Sequence, residues 1–236
     1  MWAEHLGPLA RAGYRVIALD LPGFGEARIS PGEQAPWDDV LESMDELGVD
    51  RAALVGCSFG GAVALRVAAV APERVWMLVL VSAPAPGVPP SRELEAAWEA
   101  EDAALSRGDV DAAAAAVVDT WTLPGAPEAL RQRVAEMQRR AFTLQADSPP
   151  VAEAPDPLED SGPLTGLDIP ALVVVGELDK RDFVEGASRL AEALPAARQV
   201  VIEGAGHLAP LEAPAAFDEL VTAALREQSP PAATLD

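Results

Sequence analysis

The stretch "VWMLVLVSA", residues 75–83, limits the possible folds of this chain more than any other. Its first seven residues are all apolar, so a strand there must be covered on both faces. "ALVVVG" at 171–176 repeats the pattern, and "YRVIALD" (14–20), "RAALVG" (51–56) and "ARQVVI" (197–202) are shorter apolar runs. Helical periodicities separate them. Strands of this kind alternating with helices predict an α/β fold, with a mostly parallel sheet and helices on both faces.

The helices have legible limits. "WAEHLGPLARAG" reads as an amphipathic helix that stops at Gly13, and "WDDVLESMDELGV" puts Val40, Leu41, Met44 and Leu47 on one face before Gly48 ends it. "FGGAVALRVAAVAP" predicts a helix rich in small residues, "DFVEGASRLAEALP" another, and "PAAFDELVTAALRE" the closing one. Between 86 and 165 the rhythm becomes Ala-rich, acidic and helical, with no strand signal. A Pro-rich tail, "SPPVAEAPDPLEDSGPLTG", follows these helices. The 236 residues therefore divide into a core of 1–85 and 166–236 and a helical cap of 86–165. The final "QSPPAATLD" reads as a frayed tail.

Several function classes drop out. A formal charge of −21 opposes binding to a nucleic-acid backbone or an anionic membrane surface. One cysteine, Cys57, permits no intrachain disulfide and no thiolate zinc cluster. No apolar run approaches the roughly 20 residues of a membrane span, and residues 1–20 lack a basic-then-apolar leader, so the expected place is the cytoplasm.

"GCSFG" at 56–60 fits G-x-S-x-G at a strand-to-helix junction. A serine on a sharp turn there needs small neighbours, because strand and helix approach closely. The competing reading is a phosphate loop, but neither G-x-x-x-x-G-K-[ST] nor G-x-G-x-x-G is present. A serine nucleophile at position 58 needs a base, and the chain has two histidines. His5 sits in the opening helix, where a surface role is expected. His207 ends "VVIEGAGH", just past the last apolar run, and is the candidate base. Asp179, in "VVVGELD", follows the preceding run and is the candidate carboxylate, with Glu177 and Asp182 as nearby rivals. The chain order is Ser58, Asp179, His207.

With "DLPGFG", "VGCSFGG", "VVVGELD" and "GAGHLAPLEAPAAF" in this order, the sequence resembles the α/β-hydrolase fold family from the opening helix almost to the C-terminus. The resemblance implies Ser58 as nucleophile, Asp179 as acid, His207 as base and the Phe59 backbone N–H as an oxyanion donor. It makes Asp20 a turn residue, and it implies no metal and no organic cofactor. A serine nucleophile departs from the haloalkane dehalogenases, which resemble this family but use an aspartate. Cys57 reads as a small buried neighbour of the turn. In such folds the cap roofs the pocket, so Trp98, Trp121, Met137 and Phe142 are candidate substrate-lining residues, or only pack cap helix against cap helix.

The expected function is a serine hydrolase acting on a small ester or related acyl compound, with a small molecule as its partner. The same triad in this family also cleaves carbon–carbon bonds in dienoic diketones, hydrolyses amides or transfers acyl groups. A non-catalytic, receptor-like ligand binder, or an incomplete gene product without activity, is the competing expectation. Family members carry, before the first helix seen here, a strand ending in a His-Gly loop that supplies a second oxyanion N–H. "MWAEHLGPLA" begins in or just before that helix, so this strand, its loop and two further edge strands are expected to be missing. Three arrangements follow: Met1 is an internal methionine of a longer chain, the flanking strands close the gap, or another chain completes the sheet.

Overall fold

The computed structural model describes residues 1–159 and 162–228. Part of the Pro-rich tail and nearly all of the C-terminal tail, "QSPPAATLD", lie outside the described residues. The chain opens with helix α1 (Ala3–Arg11), followed by strand β1 (Gly32–Gln34), α2 (Pro36–Glu46), β2 (Ala52–Cys57), α3 (Phe59–Val70) and β3 (Val75–Val81). Next come α4 (Arg92–Ser106), α5 (Val110–Trp121), α6 (Glu128–Ala146) and β4 (Val151–Glu153). The chain then runs through β5 (Ala171–Gly176), α7 (Arg181–Ala193), β6 (Ala197–Ile202), α8 (Ala209–Glu212) and α9 (Pro214–Gln228).

The main sheet is parallel, in the order β2-β3-β5-β6. Cys57 pairs with Val81, Val81 with Val174, and Gly176 with Ile202, so the carboxyl ends of all four strands share one edge. Apolar β3 lies at the centre because side chains on both its faces are buried. Leu78 and Leu80 pack with Leu65 of α3 and Leu190 of α7 on one face. Met77, Val79 and Val81 pack with Phe217 and Val221 of α9 on the other. This alternation is the period of two of a strand read against two helical layers.

The expected strand at 14–20 does not form. Residues 14–20 run without helix or ladder, and β2 is the edge of the described sheet. A strand exists only through a hydrogen-bonded neighbour, and no described strand lies beside this segment. Its side chains still divide between the two cores: Tyr14 and Val16 join one, Leu19 and Leu21 the other. The two segments expected to flank the gap do not pair with each other.

Three further expectations change. The segment read as strandless contains β4, which pairs in parallel with β1 through Gly32↔Val151 and Gln34↔Glu153. Three-residue strands leave no periodicity to read. His5 is buried rather than on the surface, at 2% exposure. Its Nδ1 lies 2.6 Å from Asp218 Oδ1 and its ring packs against Trp2 and Phe217, pinning α1 to α9. Leu47, placed on the apolar face of α2, is exposed past the helix end.

The cap has its own core, in which Val117 and Val118 of α5 meet Val134 and Phe142 of α6. Leu208 and Leu211, from the segment just after His207, belong to that same cluster. The cap is thus docked on the part of the core that carries the candidate base.

Candidate active site

Ser58 follows β2 and begins α3, held by two backbone bonds. Its N–H donates to Val81 O at 2.8 Å, and its carbonyl accepts from Ala62 N at 3.0 Å. Its φ of 51° is in the left-handed region, a conformation that costs an L-residue of order 1 kcal/mol and is kept here by the surrounding strand and helix. Gly56 explains why the turn can close. A Cβ there would overlap the Gly60 carbonyl and lie 2.5 Å from Gly61 N. The Phe59 N–H lies in the first turn of α3, where backbone donors have no intrahelical acceptor, one residue after Ser58.

Asp179 and His207 come to the same edge of the sheet, after β5 and β6. His207 Nδ1 lies 3.0 Å from Asp179 Oδ1, and both side chains are almost fully buried. The same carboxylate oxygen accepts from Lys180 N at 2.7 Å, while Asp179 Oδ2 is buried without a described partner. The rival carboxylates are turned elsewhere. Glu177 accepts from Gly204 N at 2.9 Å, and Asp182 accepts from Ser91 N and Oγ at the start of α4. Burial opposes ionisation of Asp182, and the Ser91 bonds outweigh it, holding this carboxyl below its ordinary range.

Aromatic rings hold the imidazole. The Trp121 centroid lies 4.2 Å from that of His207, and the Phe183 centroid 4.3 Å away on α7. Lys180 Nζ is 6.0 Å from the Trp121 centroid and 3.2 Å from Glu93 Oε1 of the cap. The elbow and the base loop touch, since Cys57 Sγ is 3.7 Å from His207 O. No hydrogen bond joins Ser58 Oγ to His207; catalytic bonds of this kind are often long before substrate binds. Clefts of about 340 and 300 Å³ lie beside α3 and against α7, and neither is lined by Ser58, Asp179 or His207.

The other sequence candidates are dispersed. Phe142 is buried in the cap core, Met137 is half-buried against it, and Trp98 is 42% exposed. Of the four cap residues, Trp121 is the one in ring contact with His207. Asp20 accepts from Glu26 N at 2.9 Å and closes its own turn. Phe183, Phe24, whose ring lies 5.9 Å from that of Phe59, and Glu212 were not legible as site residues. Glu212 had a signal in its place five residues after His207, within "GAGHLAPLEAP".

Cys57 is a buried neighbour of the nucleophile turn. Burial, reinforced by the Asp179 and Glu212 carboxylates, pushes its thiol up to about 12. Iodoacetamide at pH 8 is therefore expected to leave Cys57 unmodified in the folded protein and to alkylate it in urea, read by intact mass. Equal rates in both states would overturn this account.

A family model described as alpha/beta hydrolase fold matches residues 1–214. The chain belongs to this family. Among relatives of this hydrolase-fold chain, an acetyltransferase component of the acetoin cleaving system from Cupriavidus necator is 45% identical over 84 residues. That match takes in 34% of this chain and 22% of the relative's length. A 2-hydroxy-6-oxononadienedioate/2-hydroxy-6-oxononatrienedioate hydrolase from Cupriavidus pinatubonensis is 29% identical over 237 residues, 93% of this chain and 80% of that protein. A thermophilic esterase from Thermogutta terrifontis superposes with a TM-score of 0.76 at 26% identity, over 96% of this chain and 84% of its own. Among the described residues of this family member, no helix is long and apolar enough to cross a membrane.

Proposed function

We propose that this chain is a serine hydrolase that cleaves a small ester or related acyl compound through an acyl-enzyme. The observation that carries the reading is the buried 3.0 Å contact between His207 Nδ1 and Asp179 Oδ1, on the sheet edge where Ser58 begins α3. Ser58 Oγ attacks the substrate carbonyl as His207 Nε2 takes its proton. Asp179 holds the tautomer with the proton on Nδ1 and stabilises the imidazolium. The Phe59 N–H donates to the oxyanion, His207 returns the proton to the leaving alcohol, and water then releases the acid by the same route.

Trp121 roofs the base in this reading, and the substrate is a small molecule handled without metal or organic cofactor. The formal charge of −21 supports a protein without nucleic-acid or anionic-membrane partners, and the cytoplasm is its proposed place. A second reading, cleavage of a carbon–carbon bond in a vinylogous dienoate, is favoured by the Cupriavidus pinatubonensis relative.

The test is labelling with a fluorophosphonate, read by intact mass, followed by turnover of p-nitrophenyl esters and of a 2-hydroxy-6-oxodienoate. A stoichiometric adduct with faster ester turnover supports the esterase. Faster dienoate turnover transfers the assignment to the second reading. Absence of any adduct from folded protein would overturn both.

A further inference from the structure

Glu212 makes none of the hydrogen bonds of the proposed triad, yet its carboxylate joins the two segments that surround His207. Its Oε2 accepts from Gly206 N at 2.8 Å, and Gly206 immediately precedes the histidine. Its Oε1 accepts from Leu123 N at 3.4 Å, two residues beyond Trp121 in the cap. One half-buried side chain therefore ties the loop of the base to the segment whose indole lies 4.2 Å from the imidazole.

Packing at the same junction is tight. A Cβ on Gly206 would lie 2.8 Å from Leu123 Cδ2 and 3.3 Å from Glu212 Oε2, so loop and cap are in close contact there and a larger residue would push the Leu123 side chain aside. Burial pushes the Glu212 carboxyl upward, against the pull of the Gly206, Leu123 and Leu208 N–H groups and of His207. A carboxylate accepts through both oxygens, and no other side chain of this size has two acceptor ends.

We propose that Glu212 is a positioning residue that couples the cap to the catalytic base, holding Trp121 and His207 in register through its bonds to Leu123 and Gly206. Docking of the cap and orientation of the imidazole are then one event. The catalytic consequence rests on the hydrolase reading above; the bridge itself does not.

The experiment compares Glu212→Ala, Glu212→Gln and the natural protein by two independent readouts. In amide hydrogen exchange, Ala is expected to release both Leu123 and Gly206 while amides inside α5 and α6 keep their protection. Gln, with one acceptor oxygen, is expected to release only one of the two. In fluorophosphonate labelling of Ser58, the maximal rate for Ala is expected to fall about 10- to 100-fold, the scale of a misplaced catalytic group, with weaker reagent binding and an intermediate value for Gln. A purely structural role would lower thermal stability while leaving the maximal labelling rate unchanged, and that result overturns the proposal. So does exchange that is unaltered at either amide in Ala. If the natural protein takes no label, the hydrolase reading fails, and the exchange data alone decide the bridge.

Discussion

Replacing Ser58 by Ala is expected to leave the protein folded and to remove all fluorophosphonate labelling. Among the described residues the side chain has no hydrogen-bond partner, and the backbone bonds to Val81 and Ala62 do not depend on it. Loss of the nucleophile should lower turnover of any accepted ester about 10⁴-fold or more, and His207→Ala by a similar factor. Asp179→Asn is the sharper test of geometry. An amide in its place can stabilise the wrong tautomer of His207, and the expected loss is again about 10⁴-fold with thermal stability little changed. Turnover by Ser58→Ala within tenfold of the natural protein would place the reaction elsewhere.

Two glycines carry the second large effect, through stability. At Gly56 a methyl would enter the backbone of Gly60 and Gly61, and at Gly176 it would overlap the Gly206 carbonyl oxygen and lie 2.6 Å from the Ala205 carbonyl carbon. Backbone atoms, those of α3 at Gly56 and those of the loop between β6 and α8 at Gly176, cannot step aside as a side-chain tip can. Each Gly→Ala change is therefore expected to destabilise by about 3 kcal/mol or more, the upper end of overpacking costs. For a chain of this length that is a fall of roughly 6 to 12 °C in thermal midpoint. Gly60→Ala is the control, since a Cβ there meets nothing within 4 Å. Gly176→Ala should also lower activity well below its melting range, because the displaced carbonyl belongs to the residue before His207. Midpoints of Gly56→Ala and Gly60→Ala that agree within 2 °C would refute the steric account.

Much of this was legible from residue order alone. The unbroken apolar runs at 75–81 and 171–176 require cover on both faces, which fixes them as interior parallel strands. "GCSFG", "GELD" and "GAGH" each follow an apolar run, so the parallel sheet delivers Ser58, Asp179 and His207 to one edge. Asp179 is the candidate carboxylate from sequence already, with Glu177 and Asp182 as rivals. The tertiary structure adds what each one meets: His207 for Asp179, Gly204 N for Glu177 and Ser91 for Asp182. The same holds in the cap, where Trp121 and Trp98 look alike in sequence, but the end of α5 lies over the imidazole while Trp98 is exposed.

The sequence by itself determined which segments are strands or helices wherever burial leaves a period of two or 3.6, and it determined the order of the chemical groups along the chain. Tertiary structure decided what depends on a distant neighbour. Residues 14–20 have strand composition but no ladder, because a ladder requires a partner. His5 looks like a surface histidine until Asp218, 213 residues away, takes its Nδ1. Glu212 is an ordinary helix glutamate until Gly206 and Leu123 aim two N–H groups at it. Local pattern records how each segment meets water, whereas hydrogen-bond partners and ring contacts are set only when segments far apart in the chain pack together.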